Sequence, residues 1–466
     1  MTAIIRREIL EHLQSLQFLM LIILSILLFG MNGWVSVKKH REQMTRYSDG
    51  VTGIAQNPST RETSLYMHPN PLVLLADGGS KYQPPGYSLG PKGKLIPLPA
   101  GQKNFKMPFV PELDWAFIIK VVFSLYVLLL AFRGISGEKE IGTLRLILSN
   151  TLRRNQVLIA KYISIMLTTG IPLILGGLVS LCIVSIVLPQ ALSLTIVPRI
   201  VLMVLLAFFY LSIFAFLGLF VSSLVGRSSV VLLILLSVWI LFVVVVPNVS
   251  GILSDKLTSA PSEFQTARQV GPMLKEQVWA RIDKVTERIE RGELTTDEAV
   301  KREADKAFEE GQEEVRKHYS VYENAMKHRA NVARNLSRLS PTALFQFASE
   351  SLADTGPRRE ERFLKDTKAY SSIYDSYILE KVGQLVGASQ WSFSRSVTVN
   401  EKSFHIESPR PQEYQGDKSD FPHFAESSPN LAGNVQEAFL DLAGLSLWNL
   451  ILAVLAFWAI WRCDVR

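Results

Sequence analysis

Apolar positions in this chain come in long unbroken blocks, and polar positions fill the stretches between them. Windows at 18–36, 115–133, 160–188, 197–224, 229–249 and 442–462 are almost purely apolar. Each is near or above the roughly 20 residues that carry a helix across a hydrocarbon core. Ahead of the first block, residues 3–16 read AIIRREILEHLQSL. Ile5, Ile9, Leu13 and Leu16 fall three or four apart, with Arg6, Arg7, Glu8 and Glu11 on the other face. That spacing predicts an amphipathic helix over 1–17, lying in a membrane interface or simply extending the first span. MNGWVSVKK follows the first apolar block and offers no small-x-small cleavage pattern, so the block reads as an uncleaved anchor. Lys120 is the one clear charge in the spans, near enough to a span end to snorkel. Gly170, Pro172, Gly176 and Gly177 break the third span and Pro247 ends the fifth; such residues also permit close packing.

The two long polar stretches differ. Residues 37–114 are rich in Pro, Gly and Asn. They predict turns and short extended pieces that pack on the second stretch rather than forming a domain of their own. Residues 250–441 predict helices. Leu274, Val278, Ile282, Val285 and Ile289 keep helical spacing, RGEL interrupts it, and Thr295 with Glu298 has the form of a capping box. A helix over 296–339 would be roughly 65 Å long at 1.5 Å per residue, one arm of a long antiparallel hairpin. Ser340-Pro341 opens a short helix ended by Gly356, 358–387 is helical again, and WSFSRSVTV is extended. The fold class is mainly α: a polytopic membrane protein with six transmembrane helices and a large helical extracytoplasmic domain.

Charge orients this layout. Arg6, Arg7, Arg133, Lys139, Arg145, Arg153, Arg154, Lys161, Arg227, Arg462 and Arg466 fall on one side of a six-span chain, which is therefore the cytoplasmic side. Both termini and the 134–159 loop are then inside, and 37–114 and 250–441 are outside. Lys38, Lys39 and Arg41 disagree with that assignment. The formal net charge of +7 fits lipid contact, and no basic run interleaved with aromatics points to nucleic acid.

Candidate chemistry is sparse. Cys182 and Cys463 form neither a disulfide framework nor a metal set. The pattern G-x-x-x-x-G-K-[ST] is absent, as are H-E-x-x-H and G-x-S-x-G. His40, His68, His318, His328, His405 and His423 are scattered, and the acidic stretch Glu309–Glu314 reads as a solvated helix face.

The remaining signal is residues 132–163, a charged insert between the second and third spans. Ser136 caps a short helix whose positive end suits Glu138 and Glu140. Ile141, Leu144 and Leu148 share a face, Ser149-Asn150 turns the chain, and Arg153 and Arg154 begin the next helix. Such a device can take a push from a soluble partner. From shape alone it also fits a plain cytoplasmic loop.

SGEKEIGTLRLILS, followed by basic residues and LIAKYI, resembles the E-K-E-x-G-T-L-x-x-L-L-S signature of the type-2 ABC transporter permeases. These include bacterial permeases similar to those of copper-site maturation and gliding-motility systems. LSPTALFQFASESLADTG and PNLAGNVQEAFLDLAGLSLWNLILAVLAF resemble a subgroup with an enlarged domain between spans five and six. Asn150-Thr151-Leu152 departs from the small- or Pro-containing turn common after the signature. The resemblance implies a non-catalytic permease subunit in a bacterial inner membrane. It would pair with an identical or sibling permease and with separate ATPase subunits, which bind the ATP; it needs no cofactor of its own. The segment would act as a coupling helix. Glu138, Lys139, Glu140, Gly142 and Thr143 would face the ATPase and, with Arg153 and Arg154, couple to it: Gly142 for close approach, Thr143 for the turn, the glutamates to pair with basic residues of the partner. The work driven would be substrate export or periplasmic conformational change, in which the outer domain receives cargo, contacts a periplasmic partner or transmits force. Mechanotransmission or assembly without cargo is an alternative, as is a membrane enzyme acting at the outer face.

Overall fold

The computed structural model describes residues 2–56, 63–79, 83–90, 94–98, 113–144, 153–189, 196–258, 263–382, 394–399, 402–407, 422–427 and 430–463. Six helices in it are long and apolar enough to cross a membrane: Leu16–Gly50, Trp115–Ile141, Arg154–Val187, Val197–Leu224, Ser228–Leu257 and Leu431–Arg462, here spans one to six. Helix α1 (Thr2–Leu13) precedes them, and Ser15 separates it from span one by accepting the N–H of Phe18 at 3.2 Å.

Several spans outrun their apolar blocks. The first helix continues unbroken to Gln56, because VKKHREQMTRY contains nothing that stops a helix. This extension carries the Lys38, Lys39 and Arg41 cluster that conflicts with the charge rule. Lys39 Nζ reaches the Asp77 carboxylate at 2.6 Å, so this cation is matched within the fold. Span three is one continuous helix through Pro172, contrary to the expected break. Its small residues instead admit neighbours. Ser25 of span one donates to the Pro172 carbonyl at 2.7 Å, and a Cβ at Gly176 would lie 2.3 Å from Ser25 Oγ. Pro247 likewise does not end span five. A π-helical turn at Leu241–Val245 precedes it, and the helix runs on to Leu257. The wider turn accommodates the proline ring, which in a regular helix clashes one turn back.

Span two starts at Asp114, which accepts the N–H of Phe117 and the N–H of Asp77, both at 2.6 Å. It ends, after a turn at 132–135, in the short helix α2 (Ser136–Ile141). Lys120 does not snorkel. Its Nζ turns inward and donates to Gln346 Oε1 at 2.8 Å.

At the end of the bundle opposite the termini lie the two long insertions. The first contributes strands β1 (Thr63–Tyr66), β2 (Gly86–Gly90) and β3 (Lys94–Pro97) in one antiparallel sheet, ordered β1-β2-β3. The second begins with helices α3 (Glu263–Glu290) and α4 (Asp297–Ser337), a hairpin whose turn includes Gly292 at φ +74°. At 41 residues, α4 is about 60 Å long. Its cap is Thr296, one residue beyond the expected Thr295, and accepts from Ala299 N at 3.4 Å. Helices α5 (Pro341–Ala353) and α6 (Pro357–Val382) follow, then the hairpin β4 (Ser394–Val399) and β5 (Lys402–Glu407). Leu65, Tyr87 and Leu89 of the sheet pack with Phe363, Tyr370 and Tyr374 of α6, so the first insertion shares a core with the second. Val397, Phe404 and Ile406 of the hairpin pack on Ile282, Ile289 and Val300 of α3 and α4.

Helix α5 is the departure with most consequence. It is not a surface helix of the insertion but a wedge in the bundle, packed against spans two, four, five and six. PTALFQFASESLA is apolar enough for this, and eleven of its thirteen residues are buried. Ser340 caps it through Thr342 N and donates to the Phe242 carbonyl in the π turn of span five. It ends at Asp354, in the left-handed conformation at φ 53°, not at Gly356. Arg338, just before the wedge, pairs with Asp441 of span six at 2.7 Å, and the Asp441 side chain is 1% exposed.

Arg338→Ala would leave that carboxylate buried and unpaired, and should cost about 3–5 kcal/mol. Thermal unfolding of the detergent-solubilised chain should show a lower Tm, largely recovered in the double variant Arg338→Met/Asp441→Leu. An unchanged Tm in Arg338→Ala would show that the pair does not hold the wedge.

Candidate functional site

The charged insert meets four other elements at the termini end of the bundle. Its centre is Lys161 in the first turns of span three, only 2% exposed. A cation in an apolar helix requires an opposite charge within reach. Here it has two: Nζ lies 2.8 Å from Glu8 Oε1 of α1 and 2.7 Å from Glu138 Oε1 of α2. Glu8 reaches Lys161 from the inward side of α1, which it shares with Ile5, Ile9 and His12, while Arg6, Arg7 and Glu11 stay exposed. His12, one turn along α1, lies 3.9 Å from the other Glu8 oxygen. Burial pulls His12 below the usual imidazole range, so at neutral pH it is uncharged and leaves Glu8 to Lys161. Glu138 Oε2 is buried without a hydrogen-bond partner among the described residues.

The two neighbours of Glu138 are also committed within the chain. Lys139 Nζ donates to the carbonyl of Ser223 at the end of span four. Glu140 accepts from the N–H and the hydroxyl of Ser228, each at 2.8 Å, and so caps span five from outside it. A carboxylate suits the positive end of that helix. Ser136 does not cap α2 as its sequence position suggests. Its hydroxyl donates back to Phe132 O at 2.6 Å and also bonds Ser228 Oγ at 3.0 Å. Ser222 of span four holds the 132–135 turn by accepting the N–H groups of Ile135 and Ser136, at 3.0 and 2.9 Å.

Arg153 is exposed, and its N–H donates to Gln156 Oε1 at 3.2 Å at the start of span three. Arg154 turns to the end of span six and donates to the Trp461 carbonyl at 2.7 Å, with those of Ile460 and Cys463 at 3.4 and 3.3 Å. A guanidinium at a helix C-terminus satisfies carbonyls that have no partner in the helix and complements the helix dipole.

What faces away is the tip of α2. Ile141 is 78% exposed, whereas Leu144 is buried, so the two do not share a face. Gly142 adopts φ +76°, which a glycine takes without strain, and among the described residues nothing lies within 4 Å of where a Cβ would stand. Thr143 Oγ1 approaches the Glu138 carbonyl at 3.4 Å. Leu148, the Ser149-Asn150 turn and the rest of 145–152 lie outside the described residues.

The structure therefore gathers Glu138, Lys139 and Glu140 on one short helix, each bonded to a different span, and sends Arg154 to a fourth. Sequence reasoning missed Glu8, Ser222 and Ser228. Lys161 was the available signal: a lone lysine in LIAKYISIML must find an acid inside the fold, and Glu8 and Glu138 are within two turns of the neighbouring helix ends.

Lys161→Met should destabilise the chain by about 3–5 kcal/mol, because two carboxylates are left crowded without a cation. Glu8→Gln/Glu138→Gln/Lys161→Met removes all three charges and should recover most of the loss, read as Tm in detergent. The wild-type Tm should change little with added salt, since a buried cluster is poorly screened.

The family model described as ABC-2 family transporter protein matches residues 2–462. No curated protein matches the sequence. The chain belongs to the ABC-2 transporter family, and with it to the multi-pass membrane permease subunits of ABC transporters, which work with an ATPase partner.

Proposed function

We propose that this permease subunit couples ATP hydrolysis by a separate ABC ATPase to movement of its spans through the α2 tip. The observation that carries this reading is the division of labour on α2. Glu138, Lys139 and Glu140 are bonded to Lys161, Ser223 and Ser228 of this chain, while Ile141 is 78% exposed and no described residue lies within 4 Å of where a Gly142 Cβ would stand. A push on the tip would reach span three through Lys161, span four through Lys139 and span five through Glu140. Glu8 would carry it to α1, and Arg154 ties span three to span six. The acid-lysine-acid triplet thus acts as a set of struts behind the docking face, and the ATPase meets the exposed apolar tip. The termini and α2 are cytoplasmic, and the two insertions are on the outer face of a bacterial inner membrane; the basic residues of the sequence support this orientation.

A pair of permease subunits fits the exposure of span five, of whose apolar window only 11% is buried within one chain. The work driven is substrate export or conformational work on the outer face. The mechanical reading has one specific support. Helix α4 packs along the extension of span five, where Arg329 pairs with Asp255, and is tied to span six by Arg338 and Asp441. Relative motion of those two spans would swing the hairpin.

Ile141→Asp tests the docking face. Losing the burial of one isoleucine and placing a charge in an apolar contact should weaken ATPase co-purification by at least about tenfold. Tm and elution volume should not change, because Ile141 touches none of the struts. Glu138→Lys/Glu140→Lys should lose both stability and complex. A complex that survives Ile141→Asp intact would overturn this assignment. With the ATPase present, cargo accumulation in proteoliposomes would favour export over the mechanical reading.

A further inference from the structure

Helix α5 carries an acid that neither the docking face nor the struts use. Glu350 lies in its last turn and is 8% exposed. Its Oε1 accepts from Gln346 Nε2 at 3.0 Å, and Gln346 Oε1 in turn accepts from Lys120 Nζ of span two at 2.8 Å. One amide therefore stands between the buried acid and the buried base.

The charged groups around Glu350 come from span two, α4, α6 and span six, and most are held by other partners. From span two come Lys120, bonded to Gln346, and beside it Asp114, which caps that span. From α4, Arg334 stacks on the Phe347 ring at 4.1 Å and Arg338 pairs with Asp441. From α6, Arg359 pairs with Glu426 at 3.2 Å, and Arg362 pairs with Asp354 and with Glu437 of span six. Arg358 is exposed. Among the described residues no lysine or arginine nitrogen comes within 4.0 Å of the Glu350 carboxylate. The acid also sits at the carbonyl end of α5, where the helix dipole disfavours negative charge. A small cavity of about 10 Å³ adjoins it, lined in part by Arg334, Ser351, Arg358 and Glu437. That is about the volume one water requires.

We propose that Glu350 is a proton-binding site at the junction of α5, span two and the insertions, exchanging with the medium through the Arg358-lined cavity. A carboxylate oxygen takes a proton delivered by water in the cavity, forming an O–H bond, and returns it by the same route. Burial, the main cause, pushes this carboxyl up to about 7. The site is then neutral in a mildly acidic medium and charged in an alkaline one. Its folded pKa lies above the unfolded value of a glutamate, so the stability it contributes is present at low pH and is lost as pH rises through about 7. The charged form holds the Gln346 amide in a charge-assisted bond, and with it the Lys120 link. The neutral form is the weaker acceptor, so proton uptake loosens span two from the wedge.

Infrared difference spectra of the full chain in lipid nanodiscs, recorded between acidic and alkaline pH, test the site without any ATPase. The carbonyl stretch of a protonated carboxylic acid should appear as pH falls, with a midpoint near 7, and Glu350→Gln should lose that component. Gln346→Ala, which removes the N–H that favours the charged form, should raise the midpoint. A Glu350→Gln spectrum that titrates like the wild type would overturn the proposal, as would a midpoint in the ordinary carboxylate range. Should Glu350→Gln not fold, an unmoved midpoint in Gln346→Ala overturns it on its own. Since no partner enters the measurement, its failure leaves the docking assignment untouched.

Discussion

A lysine buried in an apolar helix must be neutralised where it stands, and Lys161 imposes that condition on the whole termini end of this protein. Meeting it brings α1 and α2 to the same point on span three, with Nζ within 2.8 Å of an acid from each. Once α2 is pinned there, its next two residues fall where they can bond the end of span four and the start of span five. The charged triplet is thus best understood as internal ties. Surface ion pairs of the same composition would be worth little, but Lys161 and its two acids are largely withdrawn from water, so the loss of one strands the others, whereas Glu140 stays exposed and holds span five through its bonds to Ser228.

The same constraint explains how a short charged insert in an ABC-2 family permease can serve a membrane bundle. The docking role we propose for α2 requires that a displacement at its surface is not absorbed by its own flexing. Bonds from three successive residues to three spans make α2 stiff toward the bundle, and the left-handed Gly142 ends it abruptly. Among the described residues of α2 and its cap, Glu140, Ile141 and Gly142 are exposed.

At the opposite end the wedge α5 has the corresponding role. It is held between spans by Ser340 on span five, by Gln346 on span two and, through neighbouring Arg338, by span six. Helix α4 is therefore rooted in the bundle rather than resting on it. The polar groups brought in with the wedge are nearly all matched. Glu350 has no lysine or arginine of the described residues within ion-pair distance, because the nearby Arg359 and Arg362 serve other acids.

Six spans, the helical hairpin and the packing of the first insertion on the second were all legible in the sequence. These rest on local rules: an apolar block long enough to cross a bilayer, helical spacing, and turn residues such as Gly292. Where helices end was less legible. Pro172 and Pro247 read as breaks, yet neighbouring helices and a π turn absorb them. The burial of α5 was not legible, since an apolar thirteen-residue helix looks the same under a domain surface as between spans. Nor was the direction of the triplet, because whether a glutamate faces a partner or a lysine twenty-three residues away is a matter of distance in space. Sequence alone determined which residues carry charge into an apolar setting. Only the tertiary structure decided which charges neutralise one another, and therefore which surface of α2 is free.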